Sequence, residues 1–507
     1  MSKKNQKKTE NIVKRPPIVV VMGHIDHGKS TLLDTIRKSN IVEKETGGIT
    51  QHISAYTVNH TSKENNTQSN ITFLDTPGHA AFQKMRLRGA DVADMAILVV
   101  SAEDGVKPQT LEALESIKQA DIPYIVAINK IDKPGVDIQK TKNSLIENEI
   151  YIEGMGGNIP WVTISAKKNI GIDELLDLVI LTAEISELQG DTNAYATGKI
   201  IESKLDNRRG NTATLIITNG TLHAGQVVVS DDTYCPVRIM ESFTGKSVKQ
   251  AGLSEPVLLI GFNKSPKIGS IFITVDNKKQ ALQAINKNSK PKDYNDIAYK
   301  NTSYNLAEDK NSIPISIKTD VLGTVDAIKH ELSKINNDKI HVKIVNSSVG
   351  DITAKDVQYL GPNKNGIIVG FNVKTDSTAE SLAERFSVEI KTFNIIYELA
   401  EWLSEALEKR VPKHKEEIVT GKAKILRYFS TQKNVHVLGA KIDNGVIKTN
   451  QKVRIIRRDL EIGHGLVKNL QQQKLDVDQV SDGEFGIKLE TKTELATGDL
   501  LEAIEII

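Results

Sequence analysis

Four short apolar runs occur in the first third of the chain, and each is followed by a stretch with helical spacing. The runs cover residues 18–22, 96–100, 122–128 and 161–164. Uninterrupted Val, Ile and Leu residues over that length are typical of parallel strands that are buried on both faces. Because the intervening chain is long enough for crossover helices, residues 18–190 are predicted to form a doubly wound α/β sheet.

The pattern changes after about residue 190, where short β-prone runs alternate with glycine and asparagine turns. These runs cover residues 214–218, 226–229 and 257–260. Antiparallel strands with regular turn signals predict a β-barrel over residues 191–285. The polar stretch 286–312, which is rich in Asn and Lys, is predicted to be a linker.

A small α/β domain is predicted over residues 313–393, because an alternating strand and a helical stripe are followed by the buried run 366–371. An apolar stripe then predicts a long connecting helix over residues 394–412, although it also fits the last core helix of the preceding domain. Further short strands predict a C-terminal β-barrel over residues 413–507.

Length and charge agree with a chain of several domains. The 507 residues carry 66 Lys+Arg and 64 Asp+Glu, a net charge of +2. This balance gives no global signal for nucleic acid, so such a partner would have to be met by local patches. The segment 1–17 has six Lys and Arg residues against Glu10 alone, and it is predicted to be a disordered basic tail.

Cysteine usage and hydropathy bear on the compartment. The single cysteine, Cys235, excludes a disulfide within the chain and fits a reducing environment. No apolar run approaches the ~20 residues that a membrane-spanning helix needs. We therefore expect a cytoplasmic protein that has no membrane partner.

The strongest chemical signal is the segment GHIDHGKS at residues 23–30, a G-x-x-x-x-G-K-[ST] loop between a predicted strand and helix. Backbone amides of such a loop, at a helix N-terminus, bind phosphates. We expect Lys29 to reach the β and γ phosphates and Ser30 to coordinate Mg²⁺. The alternative is a tight turn with an incidental Lys-Ser pair. The predicted phosphate-binding residues are Gly23, His24, Ile25, Asp26, His27, Gly28, Lys29, Ser30 and Thr31.

A second segment, Asp-Thr-Pro-Gly at residues 75–78, follows the predicted strand 71–74. Ligands of open α/β sheets collect at the carboxyl ends of the strands. Asp75 is therefore predicted to hold hydrated Mg²⁺, and the amide of Gly78 is predicted to meet the γ-phosphate.

Two more segments indicate guanine. Asn129, Lys130 and Asp132 follow the strand 122–128. A carboxylate there accepts paired hydrogen bonds from N1–H and the 2-amino group of guanine, which adenine does not offer, so it selects GTP over ATP. The segment that is predicted to close the base pocket consists of Ser165, Ala166 and Lys167.

These segments, with GGIT at 47–50 and DTPGH at 75–79, resemble the five guanine-nucleotide motifs of translational GTPases. The flanking residues GGITQHISAY, DTPGHAAF and INKIDKP resemble those of the bacterial-type translation initiation factor 2 family. So do the stretches DVLGTVDAI from residue 320 and GIIVGFNV from residue 366.

The resemblance implies GTP, GDP and Mg²⁺ as ligands and GTP hydrolysis as the activity. Thr50 would bind Mg²⁺ and sense the γ-phosphate, and His79 would orient the attacking water. Ile25 and Ile49 would form a hydrophobic gate that holds His79 away. The first domain has no arginine at an evident finger position, so slow hydrolysis that the ribosome stimulates is expected.

The resemblance also implies partners: the small ribosomal subunit, then the large subunit during joining, and initiator tRNA. We expect a monomer. In this family the last domain holds the formylmethionyl end of the tRNA in a pocket with two cysteines, and Ala440 and Phe485 stand in those places here. Whether formyl-methionine is contacted stays open. The basic residues that suit an RNA end are Lys424, Arg427, Arg454, Arg457 and Arg458, although a solvated face of the barrel explains the same charges equally well.

Two other classes of function remain. One is another translational GTPase, either an elongation factor or the archaeal/eukaryotic-type homologue of the initiation factor. The predicted third α/β domain and its following helix argue against an elongation factor. The other is a GTP-gated scaffold that does not hydrolyse GTP, and the presence of both Thr50 and His79 argues against it.

Overall fold

The structure is a computed structural model that describes residues 12–38, 50–62, 67–206, 208–288, 312–335, 341–362, 365–410 and 417–506. It consists of two compact units, Met1–Val411 and Pro412–Ile507, which are described separately below. In these ranges, every helix is too short or too polar to cross a membrane.

The first unit begins with an α/β domain. Its strands are β1 (Ile12–Lys14), β2 (Ile18–Gly23), β3 (Ser54–Thr61), β4 (Gln68–Asp75), β5 (Met95–Ser101), β6 (Tyr124–Asn129), β7 (Trp161–Thr163) and β8 (Gln189–Asp191). Its helices are α1 (Lys29–Arg37), α2 (Gln83–Val92), α3 (Pro108–Ala120), α4 (Ile138–Glu147) and α5 (Ile172–Ile185), and a 3₁₀ turn, Ala80–Phe82, precedes α2.

The main sheet of this domain has the order β3-β4-β2-β5-β6-β7, and all its pairings are parallel except β3–β4. Every residue of β2 and β5 is buried, because helices cover both faces of the sheet. The predicted doubly wound fold is confirmed. Strand β3 was not predicted, since its exposed and buried residues do not alternate regularly.

The prediction of a disordered tail over residues 1–17 was wrong for the C-terminal end of that segment. Strand β1 pairs antiparallel with β8, and the guanidinium of Arg15 donates to the carboxylate of Asp94 at 2.8 Å. The side chain of Arg15 is nearly buried in this ion pair. Its partner lies 79 residues away, so a count of local charges could not show it. Residues 1–11 of the predicted tail lie outside the described ranges.

An antiparallel β domain follows. Its strands are β9 (Thr197–Asp206), β10 (Gly210–Asn219), β11 (Leu222–His223), β12 (Val227–Ser230), β13 (Thr233–Pro236), β14 (Ile239–Ser242), β15 (Gln250–Ala251), β16 (Pro256–Phe262) and β17 (Ile271–Val275). The main sheet has the order β13-β12-β17-β9-β10-β16-β14. Helix α6 (Lys278–Asn288) includes the first residues of the predicted linker, and residues 289–311 of that linker lie outside the described ranges.

The third domain is the predicted small α/β unit. It consists of β18 (Ser312–Thr319), α7 (Leu322–Ile335), β19 (His341–Val349), α8 (Ala354–Leu360), β20 (Ile367–Phe371), α9 (Ser377–Phe386), β21 (Glu389–Phe393) and α10 (Ile396–Glu408). Its parallel sheet has the order β19-β18-β20-β21. Helix α10 corresponds to the predicted connecting helix. Its apolar stripe, including Leu399, Leu403 and Leu407, is fully buried, so α10 is also a core helix of this domain.

The second unit is a barrel. Its strands are β22 (Glu417–Gln432), β23 (Val435–Gly445), β24 (Ile447–Lys448), β25 (Lys452–Arg457), β26 (Leu460–Gln472), β27 (Leu475–Val477), β28 (Gln479–Val480), β29 (Glu484–Glu490) and β30 (Leu500–Ile506). The sheet order is β25-β30-β22-β23-β29-β26-β27, and a further pairing of β25 with β26 closes it. The predicted C-terminal barrel is confirmed.

Candidate nucleotide site

At two positions of the loop between β2 and α1, the backbone has a conformation that only glycine fits. Gly23 has φ of +143°, and a Cβ there would lie 2.3 Å from the carbonyl oxygen of Val99. Gly28 has φ of +89°, and a Cβ there would lie 2.4 Å from Nδ2 of Asn129. Both distances are well below van der Waals contact. The loop therefore wraps closely around the start of α1, with its amides at the helix N-terminus.

Lys29 is the first residue of α1, and its side chain is buried beneath this loop. Its Nζ donates a hydrogen bond to the carbonyl oxygen of His24 at 2.6 Å. Burial lowers the pKa of Lys29 to about 8. A buried ammonium with this environment is stabilised by an incoming anion, so the residue suits a phosphate ligand.

Three oxygen atoms meet beside Lys29 in an arrangement that suits Mg²⁺. The hydroxyl oxygens of Ser30 and Thr50 are 3.0 Å apart, and the Thr50 hydroxyl lies 3.2 Å from Oδ2 of Asp75. Neighbouring ligands of an octahedral ion with bonds of ~2.1 Å lie roughly 3 Å apart, so this spacing fits. These are the three residues predicted to act at the metal.

His24 and His27, also in the loop, have rings 4.9 Å apart. Burial lowers the pKa of His27 to about 3, so its imidazole is neutral at pH 7. Within the described ranges, no three His, Cys, Asp or Glu side chains are grouped to hold a metal ion.

The predicted base-binding residues are joined by hydrogen bonds. Nδ2 of Asn129 donates to the carbonyl oxygen of His27 at 2.9 Å, and its Oδ1 accepts from the amide of Ala166 at 3.1 Å. The hydroxyl of Ser165 donates to Oδ1 of Asp132 at 2.7 Å and holds the pKa of that carboxyl below its ordinary value. Asp132 is therefore an ionised acceptor at neutral pH. Lys167 is exposed.

His79 lies at the start of the 3₁₀ turn that leads into α2. Its Nδ1 accepts a hydrogen bond from the amide of Ala81 at 2.8 Å. Burial lowers the pKa of His79 to about 4, so the imidazole is neutral at physiological pH. A neutral imidazole can orient a water molecule by hydrogen bonding without carrying a charge of its own.

Arg86 supports this turn, and the sequence analysis missed it. Its guanidinium donates to the carbonyl oxygens of both Gly78 and His79 and forms an ion pair with Glu112 at 2.7 Å. The side chain is 1% exposed. The only available signal was an arginine on the otherwise apolar face of α2, among Met85, Gly89 and Ala90. Arg86 is not among the residues that line the cavity described below.

A cavity of about 230 Å³ opens between the loop and His79. The predicted residues that line it are Ile25, Asp26, Gly28, Lys29, Ser30, Thr31, Thr50, Gly78, His79 and Lys130. Asp132, Ser165 and Ala166 form the hydrogen-bonded group at Asn129 and are not in its lining. Ile49, the other predicted gate residue, lies outside the described ranges.

The third domain also reaches this cavity, which the sequence analysis did not foresee. Tyr397, from the first turn of α10, is part of the cavity lining. Gln51, next to Thr50, is hydrogen-bonded to the backbone of Asn394 and Ile396. The sequence alone does not reveal these contacts, because each contact joins two segments that lie more than 300 positions apart.

On the C-terminal barrel, Ala440 and Phe485 are cross-strand partners between β23 and β29. Both side chains are buried in the barrel core, 1% and 4% exposed. The next pair is Gly439 and Gly486, and the ring of Phe429 lies against Gly439.

The basic residues of this barrel differ in their surroundings. Arg454 donates to Glu502 at 2.9 Å, and Arg457 forms two hydrogen bonds with Asp499 at 2.8 Å. Those two arginines therefore have acidic partners within the fold. Lys424 and Arg427 on β22, and Arg458 after β25, are exposed.

Family comparisons cover most of the chain. Residues 14–184 match the family described as the elongation factor Tu GTP-binding domain. Residues 195–275 match elongation factor G domain 2, and residues 287–404 match translation-initiation factor 2.

Similar proteins are named translation initiation factor IF-2. The one from Carboxydothermus hydrogenoformans is 41% identical over 505 residues, which are 98% of this chain and 60% of that protein. The one from Clostridium botulinum is 41% identical over 501 residues, which are 97% of this chain and 72% of that protein. A crystal structure of GDP-bound aIF5B from Aeropyrum pernix is 25% identical, with a TM-score of 0.48, over 97% of this chain and 92% of the other.

Proposed function

Since the chain belongs to the translation initiation factor IF-2 family, we propose that it is a GTPase of translation initiation that binds GTP with Mg²⁺ and hydrolyses it on the ribosome. The chain spans 60% of the length of the Carboxydothermus relative, so the activity is proposed from the residues that this chain itself contains. The observation that carries the proposal is the spacing of Ser30, Thr50 and Asp75 beside the buried Lys29.

The nucleotide is bound by three groups of residues. The loop amides and Lys29 bind the phosphates, where the buried ammonium offsets their charge. Ser30, Thr50 and Asp75 hold Mg²⁺, which when bound neutralises charge on the β and γ phosphates. Asp132 accepts from the guanine edge, while Asn129 holds the phosphate loop and base loop together.

Hydrolysis requires a water molecule placed in line with the γ-phosphate, and His79 orients it. Phosphoryl transfer asks for positioning and charge stabilisation more than for proton abstraction, so a neutral imidazole is sufficient. In the described resting arrangement Nδ1 of His79 accepts from the amide of Ala81, so Nε2 is the nitrogen that would meet the water once the ring has moved toward the γ-phosphate. Ile25 lines the cavity and is the described member of the proposed hydrophobic gate.

The proposed partners follow from the family. The factor binds the small ribosomal subunit, then the large subunit during joining, and it binds initiator tRNA as a monomer. It works in the cytoplasm, where ribosomes act. On the C-terminal barrel, Lys424, Arg427 and Phe429 are all exposed on β22, and two cations with an aromatic ring on one strand suit the phosphates and a base of an RNA 3′ end.

The GTPase proposal is tested with His79→Ala. GTP affinity should stay within about twofold, because His79 contributes orientation and not binding, while ribosome-stimulated turnover should fall at least ~100-fold. The measurement is phosphate release with and without ribosomes, alongside fluorescent-nucleotide binding. Lys29→Ala is the matched control, since it should lose nucleotide binding itself. Full stimulated turnover in His79→Ala would contradict the assigned role.

The tRNA proposal is tested by competition between formylated and unformylated initiator tRNA on the full chain. A preference for the formylated tRNA would show that the protein contacts the formyl group without cysteines. Equal binding of the two tRNAs would show that it makes no such contact. The double variant Lys424→Glu, Arg427→Glu should weaken the binding of both tRNAs to the same extent. Unchanged affinity in that double variant would contradict the proposed surface.

A further inference from the structure

The first turn of α10 contacts the two loops that flank the cavity. On one side, Gln51 donates from Nε2 to the carbonyl oxygen of Asn394 at 2.9 Å, and its Oε1 accepts from the amide of Ile396 at 3.2 Å. Gln51 is 6% exposed, and its neighbour Thr50 is one of the proposed Mg²⁺ ligands. This paired hydrogen bond attaches the Thr50 loop to the third domain.

On the other side, Tyr397 packs against His79. The two ring centroids are 4.3 Å apart with an interplanar angle of 84°, an edge-to-face arrangement. Phe82 makes a second edge contact with the imidazole at 6.1 Å. His79 is therefore held by two aromatic rings and by the hydrogen bond from the amide of Ala81. A half-exposed tyrosine of the third domain is thus part of the surroundings of the proposed catalytic histidine.

These contacts stabilise one position of the imidazole. If His79 is to orient water at the γ-phosphate, its ring has to leave the edge-to-face contact with Tyr397, or the side chain of Tyr397 has to move with it. An aromatic pair of this geometry changes such an equilibrium by roughly 2- to 10-fold. The third domain therefore contributes directly to the resting position of a residue in the first domain.

We propose that Tyr397 is a positioning residue that holds His79 in its resting position, so that the third domain restrains GTP hydrolysis until this contact is released. The inference rests on the proposed GTPase function. It adds a specific role for the first turn of α10, which touches the loops of Thr50 and of His79 together. Activation then requires that α10 and the His79 turn separate locally, or that Tyr397 changes rotamer.

The test compares Tyr397→Ala with Tyr397→Phe, which retains the ring. Tyr359→Ala, a second exposed tyrosine of the third domain, is the matched control. Without ribosomes, Tyr397→Ala should hydrolyse bound GTP roughly 2- to 10-fold faster than the parent, in line with the loss of one aromatic pair. Tyr397→Phe, which keeps the ring, should stay close to the parental rate, and Tyr359→Ala should retain both the parental rate and the parental GTP affinity. The rates are measured at saturating GTP, so that a change of affinity at Tyr397, which lines the cavity, does not enter the comparison.

A second readout tests the contact apart from catalysis. In the GDP-bound protein with ¹³C-labelled histidine, the imidazole resonances of His79, assigned by their loss in His79→Ala, should shift in Tyr397→Ala and stay in place in Tyr397→Phe. Unshifted resonances in Tyr397→Ala, or an unchanged or slower intrinsic rate, would overturn the proposal. If the parent releases no phosphate even with ribosomes, the GTPase proposal fails, and the resonances still decide whether Tyr397 positions His79.

Discussion

The side-chain amide of Asn129 hydrogen-bonds to the backbone carbonyl of His27 at 2.9 Å, from the last residue of β6 to the phosphate-binding loop. The other end of the same amide accepts from Ala166. Asn129 therefore joins the phosphate half of the site to the base half, and both of these polar atoms are used within the protein.

We predict that Asn129→Asp lowers the affinity for every nucleotide. The new carboxylate oxygen cannot donate to His27 and would face its carbonyl oxygen instead, so the loop is released. Loss of a buried hydrogen bond that leaves its partner unsatisfied costs about 1–3 kcal/mol, which is roughly a 5- to 150-fold loss of affinity. Calorimetric titration with GTP and with xanthosine triphosphate measures the two affinities, and Asn143→Asp, at an exposed position, is the control. Selective loss of GTP alone would contradict this role.

We predict a change of base preference, with little loss of total affinity, for Asp132→Asn. The amide can donate where xanthine offers an oxygen, while it no longer accepts both guanine hydrogens. Xanthosine triphosphate should then bind at least ~10-fold more tightly than GTP. Competition between the two nucleotides in one sample measures the ratio. Preserved GTP preference would remove Asp132 from the base site.

We predict that nucleotide binding takes up protons above pH 8. Burial lowers the pKa of free Lys29 to about 8, and bound phosphate should raise it again. At pH 8 about half of the sites should gain a proton on binding, and at pH 7 about one tenth should. Affinity should therefore fall as pH rises through 8. Calorimetry in two buffers of different ionisation enthalpy measures the uptake, which should vanish in Lys29→Arg.

We predict that Arg86→Lys impairs turnover but not binding. A lysine cannot reach the carbonyl oxygens of both Gly78 and His79 while it remains paired with Glu112. The His79 turn should loosen, and stimulated hydrolysis should fall about tenfold if about 1.4 kcal/mol of positioning is lost. Lys84→Arg, on the exposed side of α2, is the control. Equal loss of GTP affinity would point to collapse of the turn.

Much of the site could be predicted from sequence because its residues follow parallel strands. Asp75 ends β4 and Asn129 ends β6, and the carboxyl ends of neighbouring parallel strands meet at one edge. Local spacing was therefore enough to gather Lys29, Ser30 and Asp75. The doubly wound fold of the first domain was predictable for a related reason, because its central strands are short runs of apolar residues.

The remainder depends on contacts between distant segments, which periodicity does not encode. Gln51 and Tyr397 acquire their partners only when the third domain packs on the first. Arg86 resembles an ordinary helix residue until its acceptors, the carbonyls of a neighbouring turn, are known. Arg457 suggested an RNA contact by charge alone, and its partner Asp499 lies 42 positions away.

The chemistry of Cys235 makes the molecule convenient to label. It is the only cysteine in the sequence, it is fully buried in the second domain, and burial raises the pKa of its thiol to about 12. A thiol in that state is a poor nucleophile, so maleimide dyes should leave it untouched in the folded protein. Fluorophores can thus be attached at two introduced surface cysteines, without removing the native one, to follow the first and second units during a single round of nucleotide turnover.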